Sequence, residues 1–364
     1  MKRLSALFAC LLSVGASWSQ TGNWTDEGNY DTSWYDGNNS GEYHISTPQQ
    51  LAGWAYLASQ GNRMSPNRIV LDNDLDLSAH YWTPIKEFAG FLDGNGKTLS
   101  GVHIQTTAGM EDVGFIARLL SNVSSTKSVV YDLTLDESCQ ISLSAGSRDL
   151  TLGGIVGYAY GNTTIASCRF QGSFSVESAG DLDAGGIVGR SSGAVILCTN
   201  EGDLTFRLTD ASCGGITGGN FLLTSPTVTG CANKGNLYAT STSASLRGIA
   251  LGGIAGETSD KTVINGCMNE GSVKSEFTRT QYSFNRVETG GIVADNNGTV
   301  ISCGNEGEVS TLGSKEYETM AVSGGISGDN AGQIINCYNA ATVTCNGNQG
   351  FSPSVYNNAG GIVG

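Results

Sequence analysis

Gly153-Gly154-Ile155-Val156-Gly157 recurs as Gly185-Gly186-Ile187-Val188-Gly189, Gly214-Gly215-Ile216-Thr217-Gly218, Gly252-Gly253-Ile254-Ala255-Gly256, Gly290-Gly291-Ile292-Val293-Ala294, Gly324-Gly325-Ile326-Ser327-Gly328 and Gly360-Gly361-Ile362-Val363-Gly364. The third position is Ile in all seven copies, and the copies start 32, 29, 38, 38, 34 and 36 residues apart. Self-similarity at such a period marks a stacked repeat, each copy one supersecondary unit that buries its apolar face against the next.

Two further positions keep phase with the motif. A Cys follows the first Gly of each complete copy by 13 to 17 residues: Cys168, Cys198, Cys231, Cys267, Cys303 and Cys337. Two residues later stands Asn200, Asn233, Asn269, Asn305 or Asn339, usually followed by Gly202, Gly235, Gly271 or Gly307; the first copy has Phe170 instead of Asn. One copy reads as three short strands: one at Gly-Gly-Ile-x-Gly, a second ending at Cys, and a third after an Asn-x-Gly turn. Val300-Ile301-Ser302-Cys303 and Glu308-Val309-Ser310 illustrate the two-residue alternation of a strand.

Identical residues at one phase, without helical periodicity, specify an all-β, right-handed, single-stranded parallel β-helix. Its coils would stack about 4.8 Å apart. Ile155, Ile187 and Ile216 would then form one interior column, and the Asn series a ladder of amides. The paired glycines serve backbone geometry. A phosphate-cradling role is excluded by the lack of GxxxxGK[ST] and of GxGxxG between a strand and a helix.

Composition agrees. The 364 residues carry 52 Gly, 5 Pro and only 14% charged residues, roughly twice the usual glycine and about half the usual charge. At the N-terminus, Lys2 and Arg3 precede an apolar run from Leu4 to Val14 and small residues at Ala16, Ser17 and Ser19. That order marks residues 1–19 as a secretory signal peptide, so the protein is expected to be secreted or on the cell surface. Leu7-Phe8-Ala9-Cys10 has the order of a lipidation site, but Phe8 and the short preceding apolar run argue for plain export. No later stretch is long and apolar enough for a membrane span. A formal charge of -14 without a basic cluster argues against nucleic acid as a partner.

Residues 20–68 hold the one convincing helix, over 47–60. Thr47 is its N-cap, Pro48 lies in the first turn and Gln50 closes a capping box, while Leu51, Trp54, Ala55 and Ala58 share a face. It is expected to cap the first coil, whose open edge would otherwise invite aggregation. Residues 69–152 read as irregular leading coils, with Gly114-Phe115-Ile116-Ala117 a degenerate first copy, and 153–364 as the repeat proper. The chain stops in mid-coil at Gly364. A solenoid end needs a cover, so the sequence is expected to be a fragment or to be capped by a partner.

Tyr43-His44-Ile45-Ser46-Thr47-Pro48-Gln49-Gln50-Leu51-Ala52, Leu75-Asp76-Leu77, Trp82-Thr83-Pro84-Ile85, Phe91-Leu92-Asp93-Gly94-Asn95-Gly96 and the Gly-Gly-Ile-x-Gly series, in that order, resemble bacterial GLUG-motif surface proteins from about residue 43 to the end. The chain departs from that pattern at Lys86, where the family tends to place Gly, and in its Ile where the motif name has Leu. The resemblance implies a right-handed β-helix in an exported or surface-displayed protein, with adhesion or host interaction as the suspected role. It implies no catalytic residues.

Candidate chemistry is sparse. Beyond the signal peptide there are nine Cys, an odd number. They are read chiefly as buried thiols, with disulfides as an alternative, including Cys337 with Cys345, and no CxxC spacing for zinc. Asp72, Asp74 and Asp76 alternate as in a calcium loop but lack its Gly and terminal Glu, which favours an exposed acidic strand face. The three histidines, His44, His80 and His103, form no HExxH. Trp24 to Tyr35, with Tyr30 and Trp34, is an aromatic stretch that wraps the cap helix or stacks on sugars.

No catalytic, cofactor-binding or metal-ligating residue is singled out. The outward positions of the repeats read as mostly Ser, Thr, Asn and Gly. The leading expectation is a non-catalytic exported scaffold whose variable loops, residues 239–250, 275–288 and 312–321, meet a host glycan or protein. The alternative is a carbohydrate-active β-helix enzyme, a polysaccharide lyase or hydrolase. Carboxylates on adjacent coils would favour the enzyme, and a flat neutral face of Ser, Thr and Asn would favour binding.

Overall fold

The computed structural model describes residues 20–364 apart from 39–40, 106–108, 122–126, 221–224, 242–247, 278–285, 314–319 and 347–356. The expected signal peptide lies outside the described residues, as do the centres of the three variable loops. Among the described residues the chain is a parallel β-solenoid with sheets of 17, 14 and 7 strands.

One coil shows the plan. After Gly252-Gly253-Ile254, Ala255–Thr258 lies in the 7-stranded sheet, Val263–Asn265 and Met268–Asn269 in the 17-stranded sheet, and Val273–Phe277 with Arg286–Gly290 in the 14-stranded sheet. The next coil pairs with it in parallel at equal phase, Ile264 opposite Val300 and Asn269 opposite Asn305. Every repeat residue thus sits against its own equivalent 34 to 38 positions on in this part of the chain.

The motif is a corner, whereas its sequence predicts a strand. One strand ends at its first Gly and the next begins at its fourth residue. The turn is tight: a Cβ on Gly252 would lie 1.9 Å from the Ala255 carbonyl oxygen. Ile points inward from this corner. Ile155, Ile187, Ile216, Ile254, Ile292 and Ile326 are fully buried in one column, each worth about 1.5–3 kcal/mol of apolar burial.

A second bend precedes each Cys of the repeat phase, and Leu133 at the equivalent place in the coil before. Asp132, Ser167, Leu197, Gly230, Gly266, Ser302 and Asn336 all have φ between 52 and 62°, a left-handed residue that breaks the strand as a bulge does and turns the following side chain inward, Leu133 after Asp132 and a Cys after the others. The Asn that comes next is buried, and its amide is fully employed. Asn269 donates to the Asn305 Oδ1 at 2.7 Å and to the Gly271 carbonyl at 2.9 Å, while accepting from Asn233 at 2.7 Å. The ladder runs unbroken from Asn200 to Asn339.

The helix spans Pro48–Ser59, with the Thr47 hydroxyl accepting from the Gln50 backbone N–H. Gln50 does not close a capping box on Thr47. Its side-chain oxygen takes the Ser46 N–H at 2.8 Å instead. Glu42–Ile45 and Arg68–Leu71 flank the helix and pair in parallel, so it crosses over the solenoid end and buries Leu51, Trp54, Ala55 and Ala58. Trp54 meets the Phe88 ring edge-on at 4.9 Å. This cap covers the first coil as the sequence implied. No helix among the described residues is long and apolar enough to cross a membrane.

Candidate functional site

Most of the side chains that the sequence marks as candidates hold the fold together instead. Asp72 accepts from the Ser46 hydroxyl and pairs with the His44 ring, Asp74 takes the Thr98 N–H and Asp76 the Ser78 N–H. The His44 contact holds the Asp72 carboxyl below its ordinary range. The other histidines contact carbonyls, His80 that of Thr21 and His103 that of Ser138. Among the described residues no three His, Cys, Asp or Glu side chains are grouped to hold a metal ion.

The aromatic segment packs on the helix through Tyr30 and Trp34, and on the strand after it through Trp24. Trp24 is buried with its indole N–H on the Leu77 carbonyl, Trp34 donates to the carbonyls of Asp31 and Gln50, and Tyr30 stacks on Tyr56 at 4.1 Å. Gly53 lets this segment pass: a Cβ there would lie 1.9 Å from the Asp31 carbonyl oxygen.

All nine cysteines among the described residues are free thiols. Cys337 and Cys345 do not bridge; Cys337 donates to the Val300 and Ile335 carbonyls, and Cys345 to that of Ala321. Along the ladder, the N–H of Cys267 points at the Cys303 sulfur at 3.4 Å, and that of Cys303 at the Cys337 sulfur at the same distance. Burial pushes the Cys198 and Cys213 thiols up.

The feature that sequence reasoning missed lies outside the motif corner. Residues two before the motif and residues one past it face each other across the corner and line a groove along the solenoid. On one wall stand Asp112, Thr151, Asp183, Ser212, Ala250 and Glu288, successive partners in the 14-stranded sheet. On the other stand Arg118, Tyr158 and Arg190, then Glu257, Asp295 and Asp329 in register on adjacent coils. At these two phases several charged side chains stand among the small and neutral outward residues that the sequence reading expected. The signal was present in the sequence as two fixed phases flanking each motif.

The groove has two electrostatic halves. In the first, Asp112 pairs with Arg118 and Asp183 with Arg190. Asp183 is only 5% exposed, and its burial outweighs the Arg190 charge, raising its pKa to about 7. A cavity of about 570 Å³ opens beside it, walled by Thr151, Arg190 and the turn carrying Ser147, Arg148 and Asp149.

In the second half, Arg286 pairs with both Glu288 and Asp329 at 2.6 Å. Burial, then repulsion from Asp295, lifts the Glu288 pKa to about 8. Burial also raises Glu257 and Asp295, each helped by its carboxylate neighbour on the next coil.

Insertions mark a second surface. In two early coils Ser173–Gly185 and Leu204–Gly214 cross the 14-stranded sheet without a gap. In later coils the same path is cut between Ser241 and Gly248, Phe277 and Arg286, Leu312 and Met320, and Asn346 and Asn357.

Fold and site together define a capped parallel β-solenoid with a polar corner groove and a row of insertions. No protein-family model and no curated protein matches the chain. Its fold is similar to that of a solved Bacteroides ovatus protein described as a "putative immunoglobulin A1 protease", with a TM-score of 0.52 and 14% identity over 88% of this chain and 82% of that one. At that identity the likeness concerns the fold alone.

Proposed function

We propose that the chain is an exported scaffold of the GLUG-motif type that displays its insertions for adhesion to a host glycan or protein, without catalysis. The observation that carries this reading is the row of insertions. The strands that flank them pair in register in consecutive coils of the 14-stranded sheet, so the points where the insertions leave and rejoin it stand side by side. Rigid scaffolds with variable loops are a common design for recognition. The signal-like first 19 residues support export. The fold neighbour's description names a protease, but a fold likeness supplies no catalytic group, and no peptidase activity is proposed.

The test replaces residues 242–247, 278–285, 314–319 and 347–356 with the uninterrupted crossing of the early coils, and measures binding to host cells and to a glycan array. Loss of binding with an unchanged circular dichroism spectrum is expected. Native-level binding by the shortened protein would overturn the reading.

A second reading, a carbohydrate-active enzyme, is favoured by one observation: Glu257, Asp295 and Asp329 stack on adjacent coils near Glu288. Burial raises the pKa values of Glu257, Asp295 and Glu288, which suits general acid catalysis. Incubation with a polysaccharide panel, read for new reducing ends or unsaturated products, separates the two. Cleavage that disappears in Glu288→Gln would establish the enzyme and end the scaffold-only reading.

A further inference from the structure

We infer that the outer face of the 17-stranded sheet joins two copies of this chain, packed face to face with their solenoid axes antiparallel. The insertions leave from the 14-stranded sheet, so such a pair would keep them free and display them twice.

The face is uncharged in an acidic chain. No Asp, Glu, Lys, Arg or His occurs in residues 194–199, 227–232, 263–268, 299–304 or 333–338, the strands and bends that build this sheet in five consecutive coils. The whole chain carries a formal charge of -14, so two copies repel each other and approach at least cost through a face without charge. Five coils at about 4.8 Å and six residues at about 3.3 Å give a patch of about 24 by 20 Å. Two copies would bury about 1,000 Å² between them, the lower limit of a specific interface, which fits a concentration-dependent pair.

Exposed apolar side chains gather on this sheet. Among the described residues the large ones are Tyr131, Leu197, Ile335 and Tyr338, beside Ile362 and Val363 of the last motif. The first four all belong to the 17-stranded sheet or to the bend inside it, and all but Tyr131 lie in the uncharged block. Leu197 stands out. It holds a φ of 53° where the next two coils have Gly230 and Gly266, and it leaves most of its side chain in solvent. A strained and exposed Leu contributes little to the folding of a single chain, and strain of this kind gathers at functional sites.

Symmetry selects a second copy as the occupant. A two-fold axis along Val263–Asn265, the middle strand of the five, sets the first coil against the fifth and the second against the fourth. Leu197 would then face the partner's Asn336, between the partner's Ile335 and the partner's Tyr338. The contact forms twice, because each copy supplies both sides of it. The Tyr338 ring is laid flat for this: it covers Gly304, where a Cβ would lie 2.5 Å from it, and its hydroxyl meets Glu306 at 3.1 Å. At the rim Lys234 would face the partner's Glu306 on both sides, against a single approach of Glu270 to its own equivalent.

Sedimentation velocity of the whole chain over a concentration series is the test, with thermal unfolding of each variant as the check on its fold. The mass should rise from one chain to two. Leu197→Glu and Asn265→Asp, both at exposed positions, should weaken pairing about tenfold or more, the second because it sets two like charges together on the axis. Thr229→Glu should weaken it, and Ile301→Lys added to Thr229→Glu should restore it, since the two positions stand opposite across the interface. Thr205→Glu, exposed on the 14-stranded sheet, should leave it unchanged, and the loop-shortened protein described above should still pair, so this inference and the adhesive reading fail separately. A chain that stays single at every concentration, pairing indifferent to Leu197→Glu and Asn265→Asp, loss in Thr205→Glu, or no rescue by Ile301→Lys would each overturn the inference. So would a single chain that adsorbs to crystalline cellulose and loses this in Leu197→Glu, which would give the face a different occupant.

Discussion

Gly253 lies against the side-chain amide of Asn269, across the interior of a single coil: a Cβ on Gly253 would be 2.4 Å from the Asn269 Cγ and 2.1 Å from the Gly291 carbonyl oxygen. The same relation holds between Gly186 and Asn200, Gly215 and Asn233, Gly291 and Asn305, and Gly325 and Asn339, while Gly154 meets the Phe170 ring. The second glycine of the motif and the Asn sixteen or so residues later are therefore one packing unit repeated along the chain. Gly253→Ala should push the ladder apart and cost several kcal/mol, as overpacking in a rigid interior does. Gly361→Ala, where nothing lies within 4 Å, should be nearly silent. Urea unfolding of the two variants checks the contrast.

Asn269→Ala removes the middle of the amide ladder. It strands the Asn233 donor and the Asn305 acceptor in a buried setting, each at about 1–3 kcal/mol. The expected loss is about 2–5 kcal/mol, larger than that of Asn339→Ala, whose side chain is less buried and ends the series. Equal losses at the two sites would show that the ladder is not cooperative along the stack.

Leu197 carries a φ of 53° and is 62% exposed, so it bears left-handed strain without burying its side chain. Leu197→Gly should stabilise the protein by about 1 kcal/mol, since glycine occupies the same place at Gly230 and Gly266 without strain. A fall in the urea midpoint would contradict the strain argument.

The stability contributed by two buried carboxyls should decline as pH rises from about 4 to about 8. Asp183 and Glu288 titrate at about 7 and about 8 in the folded protein, whereas their unfolded values are near 4. The folded state therefore holds more protons than the unfolded state between these limits. The stabilisation is complete below the unfolded values and is lost as pH passes through the folded ones. Denaturation midpoints across this range should fall with pH, and the slope should flatten in the Asp183→Asn, Glu288→Gln double variant.

The buried thiols Cys198 and Cys213 should resist an aromatic disulfide reagent until the protein unfolds, because the thiolate is the reacting form and burial disfavours it. Cys337 and Cys345, half-buried near the last coil, should react first. Mass spectrometry after brief labelling reads the order directly.

From its residues alone the chain determined the stacked coil, the Ile column, the Asn ladder, the inward Cys and the cap helix. Each of these depends on like residues meeting like at one coil spacing, and a one-dimensional repeat states that in its period. The corner at Gly-Gly-Ile and the groove beside it were decided only in three dimensions. Asp183 faces Arg190, and Glu288 comes near Asp295, because the backbone turns sharply between them, and sequence distance does not say which way the intervening residues bend. The turn itself comes from contacts that no local pattern displays: a glycine against the carbonyl three residues on, and its neighbour against an Asn from the far side of the coil.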